Sequence, residues 1–218
     1  MATSMNNLED VSDELMGYSE LKQDIIFKYI SQTDQKSYIQ NSIDIGKSTV
    51  LRYNEKKLYQ ILEEHGVMVV MHDDCESEYI HSQIYYDDKI KKIDIYLKSL
   101  RKIQEAMKWI QYDISMKELV EVHLAHEFYH FHEFSNNCRT EEMLKPVKYR
   151  ILGVMNRISN VHRTSEIAAH IFAKYSCDFK IHPKVMDYVL MEYQEKGSQR
   201  AILDRMNLMQ SEFDLGGI

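Results

Sequence analysis

The chain has 218 residues, is 44% hydrophobic and carries a formal net charge of −7, with a pI near 5.8. This suits one ordinary globular domain with enough apolar content for a core. It argues against a nonspecific nucleic-acid or membrane-surface protein, since both need a basic face. No apolar run reaches the ~18 residues of a membrane span, and the acidic start, MATSMNNLEDVSDELMG, lacks the apolar centre of a secretory signal. Cys75, Cys138 and Cys177 are odd in number, far apart and form no CxxC pair, so free thiols in a reducing cytoplasm are expected.

Residues 1–17 are polar, acidic and weakly periodic, and a flexible N-terminus is expected there. Residues 18–31 read as an amphipathic helix, the start of a helical extension over 18–51. Within it, Asp44-Ile-Gly-Lys-Ser-Thr-Val-Leu-Arg-Tyr53 resembles the start of a recognition helix, and a helix over 34–42 would complete a helix-turn-helix. Acidic Asp34, Asp44 and Glu55 oppose phosphate contact, so an ordinary helix start without direct DNA binding is the preferred reading. Residues 52–65 form the next amphipathic helix, with Gly66 as its stop signal. Val67–Met71, Ser82–Tyr86 and Lys92–Lys98 follow as strands, the last alternating polar and apolar, with Asp87-Asp88 as a hairpin turn. From 99 onward the chain reads as helix, punctuated only by Pro146 and Pro183. The fold class is α+β: mainly helical, with a small three-stranded sheet before a central helix at 115–134.

That central helix carries His126-Glu127-Phe128-Tyr129-His130. Residues four apart on a helix differ by about 40° and about 6 Å of rise, so His126 and His130 can aim at one point. Glu127 stands about 100° round the axis, near that point without crowding it. This HExxH spacing suits two imidazole ligands to zinc and a carboxylate that takes a proton from water. Chance predicts about 0.04 occurrences in a chain of this His and Glu content. Val120, Leu124, Phe128 and Phe131 make an apolar stripe beside the histidines.

Catalytic zinc takes three protein ligands and leaves a fourth position open. The HExxHxxGxxH pattern is absent, since Phe-His-Glu-Phe-Ser-Asn occupies 131–136. A carboxylate from a later helix is the alternative, and Glu166 is the leading candidate. Thr164 or Ser165 can cap its helix, and small Ala168 and Ala169 permit close approach. Glu142, Glu141 and His170 are its rivals.

The two segments together resemble the ImmA/IrrE family of zinc-dependent endopeptidases. The first reads His123-Leu-Ala-His126-Glu127-Phe-Tyr-His130, close to the family's "LAHELGH" helix. The second reads Glu166-Ile-Ala-Ala169-His170-Ile-Phe172-Ala173, close to E-x-x-A-N-x-F-A. Element order agrees over residues 52–180. The chain departs from the pattern at Tyr129, at His170 and at Lys174-Tyr-Ser-Cys. The resemblance implies a zincin-like peptidase domain over 52–218, with Zn2+ held by His126, His130 and Glu166 and with Glu127 as general base. It also implies a protein substrate, commonly a helix-turn-helix repressor of a mobile element or stress regulon. The competing reading is a zinc-stabilised regulatory module that binds a partner or DNA without cutting it.

Other polar residues have lesser expectations. His123 reads as a core imidazole capped locally. Glu133, Glu141 and Glu142 are candidates to hold a ligand imidazole from behind. Tyr149, His162 and His170 are candidates for oxyanion stabilisation. His132, His72 and His81 read as ordinary surface or hairpin residues.

Overall fold

A computed structural model describes residues 7–53, 57–73, 80–87, 89–151 and 153–215. Among them, no helix is long and apolar enough to cross a membrane. Cys75 and Asp88 lie outside the described residues, so the cysteine and hairpin-turn expectations that fall on them have no structural counterpart. Cys138 and Cys177 are free thiols.

Order begins earlier than composition suggests. Ser12 Oγ accepts from Leu15 N at 3.1 Å and starts helix α1 (Asp13–Leu21), whose Leu15, Met16 and Leu21 are fully buried. The expected helix over 18–31 is therefore misplaced: α1 ends at Leu21, and only a 3₁₀ turn follows at Phe27–Tyr29. Helix α2 (Gln32–Tyr53) is unbroken. Residues 34–53 contain no turn, so no helix-turn-helix forms there. Gly46 lets α2 approach helix α7 (Arg163–Ser176): a Cβ there would lie 2.7 Å from Ala168 O and 2.9 Å from Ile171 Cβ. Helix α3 (Leu58–Glu64) starts six residues later than expected. It stops at Gly66, whose φ of +65° allows Gly66 N to reach Glu63 O and Val67 N to reach Leu62 O.

The small sheet forms as expected, with strand ends shifted by a residue or two. Strand β1 (Met68–His72) pairs parallel to β3 (Lys91–Tyr96), and β2 (Ser82–Tyr86) pairs antiparallel to β3, giving the order β1-β3-β2. Asp87 Oδ1 accepts from Lys89 N and Ile90 N, both at 2.7 Å, and turns the β2–β3 hairpin. Ile93 and Ile95 face the core. Asp94 on the opposite face is also buried, paired with Lys92 at 2.8 Å and His72 at 3.1 Å. His72 is thus a partner of a buried charge, not a plain hairpin residue.

Helix α4 (Leu97–Trp109) leads to α5 (Met116–Ser135). A capping box fixes the start of α5: Ser115 Oγ accepts from Glu118 N at 3.1 Å, and Ser115 N donates to Glu118 Oε2 at 2.9 Å. Val120, Leu124, Phe128 and Phe131, the stripe read from sequence, are all buried. Helix α5 packs against β2, β3, α4 and α7. The C-terminal third is not all helix. After α6 (Thr140–Met143), strands β4 (Val147–Ile151) and β5 (Met155–Ser159) form an antiparallel hairpin that periodicity did not reveal. Its polar–apolar alternation is diluted by exposed Val154, Met155 and Ile158. Helices α7, α8 (Lys184–Gln194) and α9 (Gln199–Leu215) complete the order, and Pro183 opens α8.

Candidate metal centre

Helices α5 and α7 bring His126, His130 and Glu166 together. His126 Nε2 and His130 Nε2 are 3.2 Å apart; His126 Nε2 lies 3.4 Å from Glu166 Oε2, and His130 Nε2 lies 3.6 Å from Glu166 Oε1. Donor atoms of the three residues all lie within 4.8 Å of one another. A tetrahedral zinc with bonds of 2.0–2.1 Å spaces its ligands about 3.3 Å apart. The His–His separation and the two His–carboxylate separations, which reach different oxygens of Glu166, bracket that value, so the three residues fit such an ion.

The electrostatics point the same way. Burial depresses the pKa of the His130 imidazole, but hydrogen bonds that it donates to Glu133 and Glu166 outweigh this and hold the group up at about 10. Glu166 is driven well below the ordinary carboxylate range; burial opposes this, and the two histidines cause it. The site is therefore built to hold positive charge between these groups. A divalent cation supplies that charge with both imidazoles neutral.

Glu133 is the group behind His130. Its Oε2 lies 3.2 Å from His130 Nδ1, while Oε1 accepts from Thr140 N at 2.7 Å and Ser165 Oγ at 2.9 Å. That contact favours the proton on Nδ1 and leaves Nε2 for the point it shares with His126 and Glu166. Ser165 therefore serves Glu133 instead of capping α7, and Thr164 Oγ donates back to Val161 O at 2.6 Å. Tyr129, the bulky residue between the two ligands, turns away from the site, and its hydroxyl meets Thr140 Oγ1 at 2.6 Å.

The rivals for third ligand are engaged elsewhere. Glu141 binds His162 Nδ1 at 2.6 Å and Arg139 at 3.3 Å; Glu142 is exposed beside Arg139. His170 packs behind His126, with ring centroids 4.7 Å apart, and its Nε2 faces Glu20 Oε1 at 3.5 Å. Tyr149 stacks on Tyr29 at 4.5 Å.

Glu127 borders a cleft of about 290 Å³ and is 8% exposed. Ser82 Oγ, from β2, donates to its Oε1 at 2.7 Å, so the carboxylate is fixed by a strand and is not one of the three converging ligands. His81, His123, Met186 and Asp187 also line this cleft. His123 is a locally capped imidazole, since its Nδ1 must donate to Leu119 O at 2.7 Å; burial keeps it neutral, with a pKa near 3.

Sequence reasoning missed several participants. His81 is hydrogen-bonded to Ser99 and borders the cleft. His132 is buried at 4% exposure, with Tyr53 Oη at 2.9 Å from Nδ1; burial lowers its pKa to about 4. Its position six residues beyond His126 puts it on another side of α5, where Arg52 and Tyr53 at the end of α2 meet it. Glu20, on α1, joins Lys184 at 2.6 Å, Arg163 at 3.3 Å and His170 beneath the site. Its only sequence signal is a carboxylate among the apolar residues of α1.

No protein-family model, curated protein or solved structure matches this chain.

Proposed function

We propose that this protein is a zinc-dependent endopeptidase of the ImmA/IrrE type, with a zincin-like catalytic domain, that hydrolyses a peptide bond in a cytoplasmic regulatory protein. The observation that carries the reading is the conjunction at α5: two imidazoles and Glu166 converge at ligand spacing while Glu127 stands beside them, free of that cluster, facing a cleft. A purely structural metal site needs no such carboxylate.

When bound, zinc would supply Lewis acidity, polarising a carbonyl oxygen and bringing the pKa of a water toward neutrality. The remaining work belongs to the chain. His126, His130 and Glu166 hold the ion, and Glu133 fixes the His130 tautomer. Glu127 takes a proton from the attacking water and returns it to the departing amine nitrogen. Ser82 leaves Glu127 Oε2 unencumbered for that transfer. The cleft accommodates a short stretch of chain, so a protein substrate enters as an exposed loop or linker. A repressor of a mobile element or stress response suits this use.

The test is Glu127→Gln, which keeps shape and hydrogen bonding but cannot accept a proton. Wild type and variant, both loaded with zinc, are incubated with a proteome-derived peptide library, and new termini are read by mass. Cleavage is expected to fall by ~10²–10⁴-fold with zinc content unchanged. No cleavage by either protein would favour the zinc-stabilised binding module, and equal cleavage by both would show that Glu127 is not the base.

A further inference from the structure

Charge is unevenly spread along this chain. Residues 143–165 hold five of the 27 Lys and Arg and none of the 34 Asp and Glu, which leaves 22 basic against 34 acidic groups elsewhere, a net −12. The basic stretch is the β4–β5 hairpin with its two flanks. Arg163 is engaged with Glu20. Lys145, Lys148, Arg150 and Arg157 are exposed, and among the described residues none of them is in an ion pair; Arg150 only meets Asn156 Oδ1 across the hairpin at 3.1 Å.

Register sorts the hairpin into two faces. Val147 and Tyr149 pack against the core, with Tyr149 on Tyr29. Lys148 stands opposite Ile158, and Arg150 opposite Asn156, so these four share the outward face. Ile158 is 66% exposed, and Val154 at the tip is 79% exposed. Cations interleaved with bare aliphatic side chains, on a ribbon whose outer strand edges can accept main-chain pairing, form a recognition surface and not merely a solvated one.

The hairpin is also next to the metal centre in the chain. Six residues separate Ser159 at the end of β5 from Glu166, a reach of at most about 25 Å over seven steps of the chain. A polypeptide of roughly eight extended residues covers that span.

We propose that the outward face of the β4–β5 hairpin docks an acidic segment of the protein substrate, interspersed with aliphatic residues, while a neighbouring stretch lies in the cleft. The purpose given to this surface rests on the peptidase reading; the binding itself does not. An acidic peptide fits better than nucleic acid for two reasons. A long polyphosphate extends beyond the hairpin into the field of the remaining net −12, whereas a short peptide held within the ~8 Å screening length meets mainly the hairpin cations. Ile158 and Val154 offer apolar contact that a phosphate backbone cannot use.

The probe is a fluorescein-labelled peptide of about twelve residues alternating Glu with Leu or Ala, titrated with full-length Glu127→Gln protein so that it is not cut. Anisotropy should show saturable binding that weakens from about 0.05 M to about 0.5 M salt. The same peptide with Lys in place of Glu should not bind. Combining Lys148→Glu with Arg150→Glu should weaken binding at least about tenfold, and the paired Gln substitutions, which remove charge without repulsion, should fall between. The Gln pair decides the matter if the Glu pair does not fold. Unchanged affinity in either folded pair overturns the proposal. So does a duplex of about twenty base pairs that binds more tightly than the peptide and displaces it. So does self-association in sedimentation that the paired substitutions abolish, since the occupant would then be a second copy of the chain. Hydrolysis of the peptide library by the wild type is scored separately, so failure of the docking surface is not confused with failure of the peptidase reading.

Discussion

Glu133 shows how much one buried carboxylate contributes to the metal centre. It receives Thr140 N and Ser165 Oγ and spends its other oxygen on His130 Nδ1. Glu133→Gln keeps the volume but lets the His130 ring choose the wrong tautomer. Zinc affinity should drop by ~10–100-fold in competition with a chromophoric chelator. Glu166→Ala should lose the ion outright by elemental analysis. Glu142→Ala, at an exposed residue paired with Arg139, should retain it. Retention in Glu166→Ala with loss in Glu142→Ala would show that the third ligand is misassigned.

At the scale of elements, the centre depends on how closely α7 lies against its neighbours. Helix α2 packs along one side of α7, and α5 packs on another, with Ala168, Ala169 and Ala173 fully buried between them. Gly46 is a point of close approach. An added methyl there meets the Ala168 carbonyl and Ile171, neither of which can swing away as a flexible chain end would. Gly46→Ala is expected to cost about 1–3 kcal/mol, read as a lower urea midpoint with unchanged slope. Because α7 carries Glu166, zinc affinity should fall as well. A stabilised variant would mean that α2 and α7 are not this close.

For the molecule as a whole, Glu20 ties α1 to α7 and α8. Burial would raise its pKa, but His170 and Lys184 hold it down at about 2 in the folded chain, against 4.5 for the free group. A depressed carboxylate contributes stability that is present above pH 4.5 and lost as pH falls toward 2, here on the order of 3 kcal/mol. Glu20→Gln should therefore be less stable than wild type at neutral pH, and the gap in urea midpoint should narrow steadily below pH 4.5. A gap that persists unchanged at pH 3 would show that Glu20 acts through packing and not charge.

Much of the centre was legible in the sequence because it depends on helical spacing alone. Four-residue separation aims His126 and His130 at one point wherever the helix lies, and an acid among small residues marks Glu166. The α+β class and the three strands before α5 follow from local periodicity and turn residues in the same way. The parallel β1–β3 pairing, the choice of Glu133 over Glu141 and the burial of His132 are different. Each is decided by which element packs against which side, over separations that no local pattern encodes. The unbroken α2 has the same cause: a helix start was expected at Asp44, yet the chain runs through as one helix whose Gly46 leaves the space that α7 needs. The β4–β5 hairpin escaped detection because its outward face is apolar in part, and local patterning reads an exposed Ile158 as core. Sequence thus determined the chemistry available to α5 and α7, while tertiary packing decided which groups hold those residues in place and which surface stands beside them.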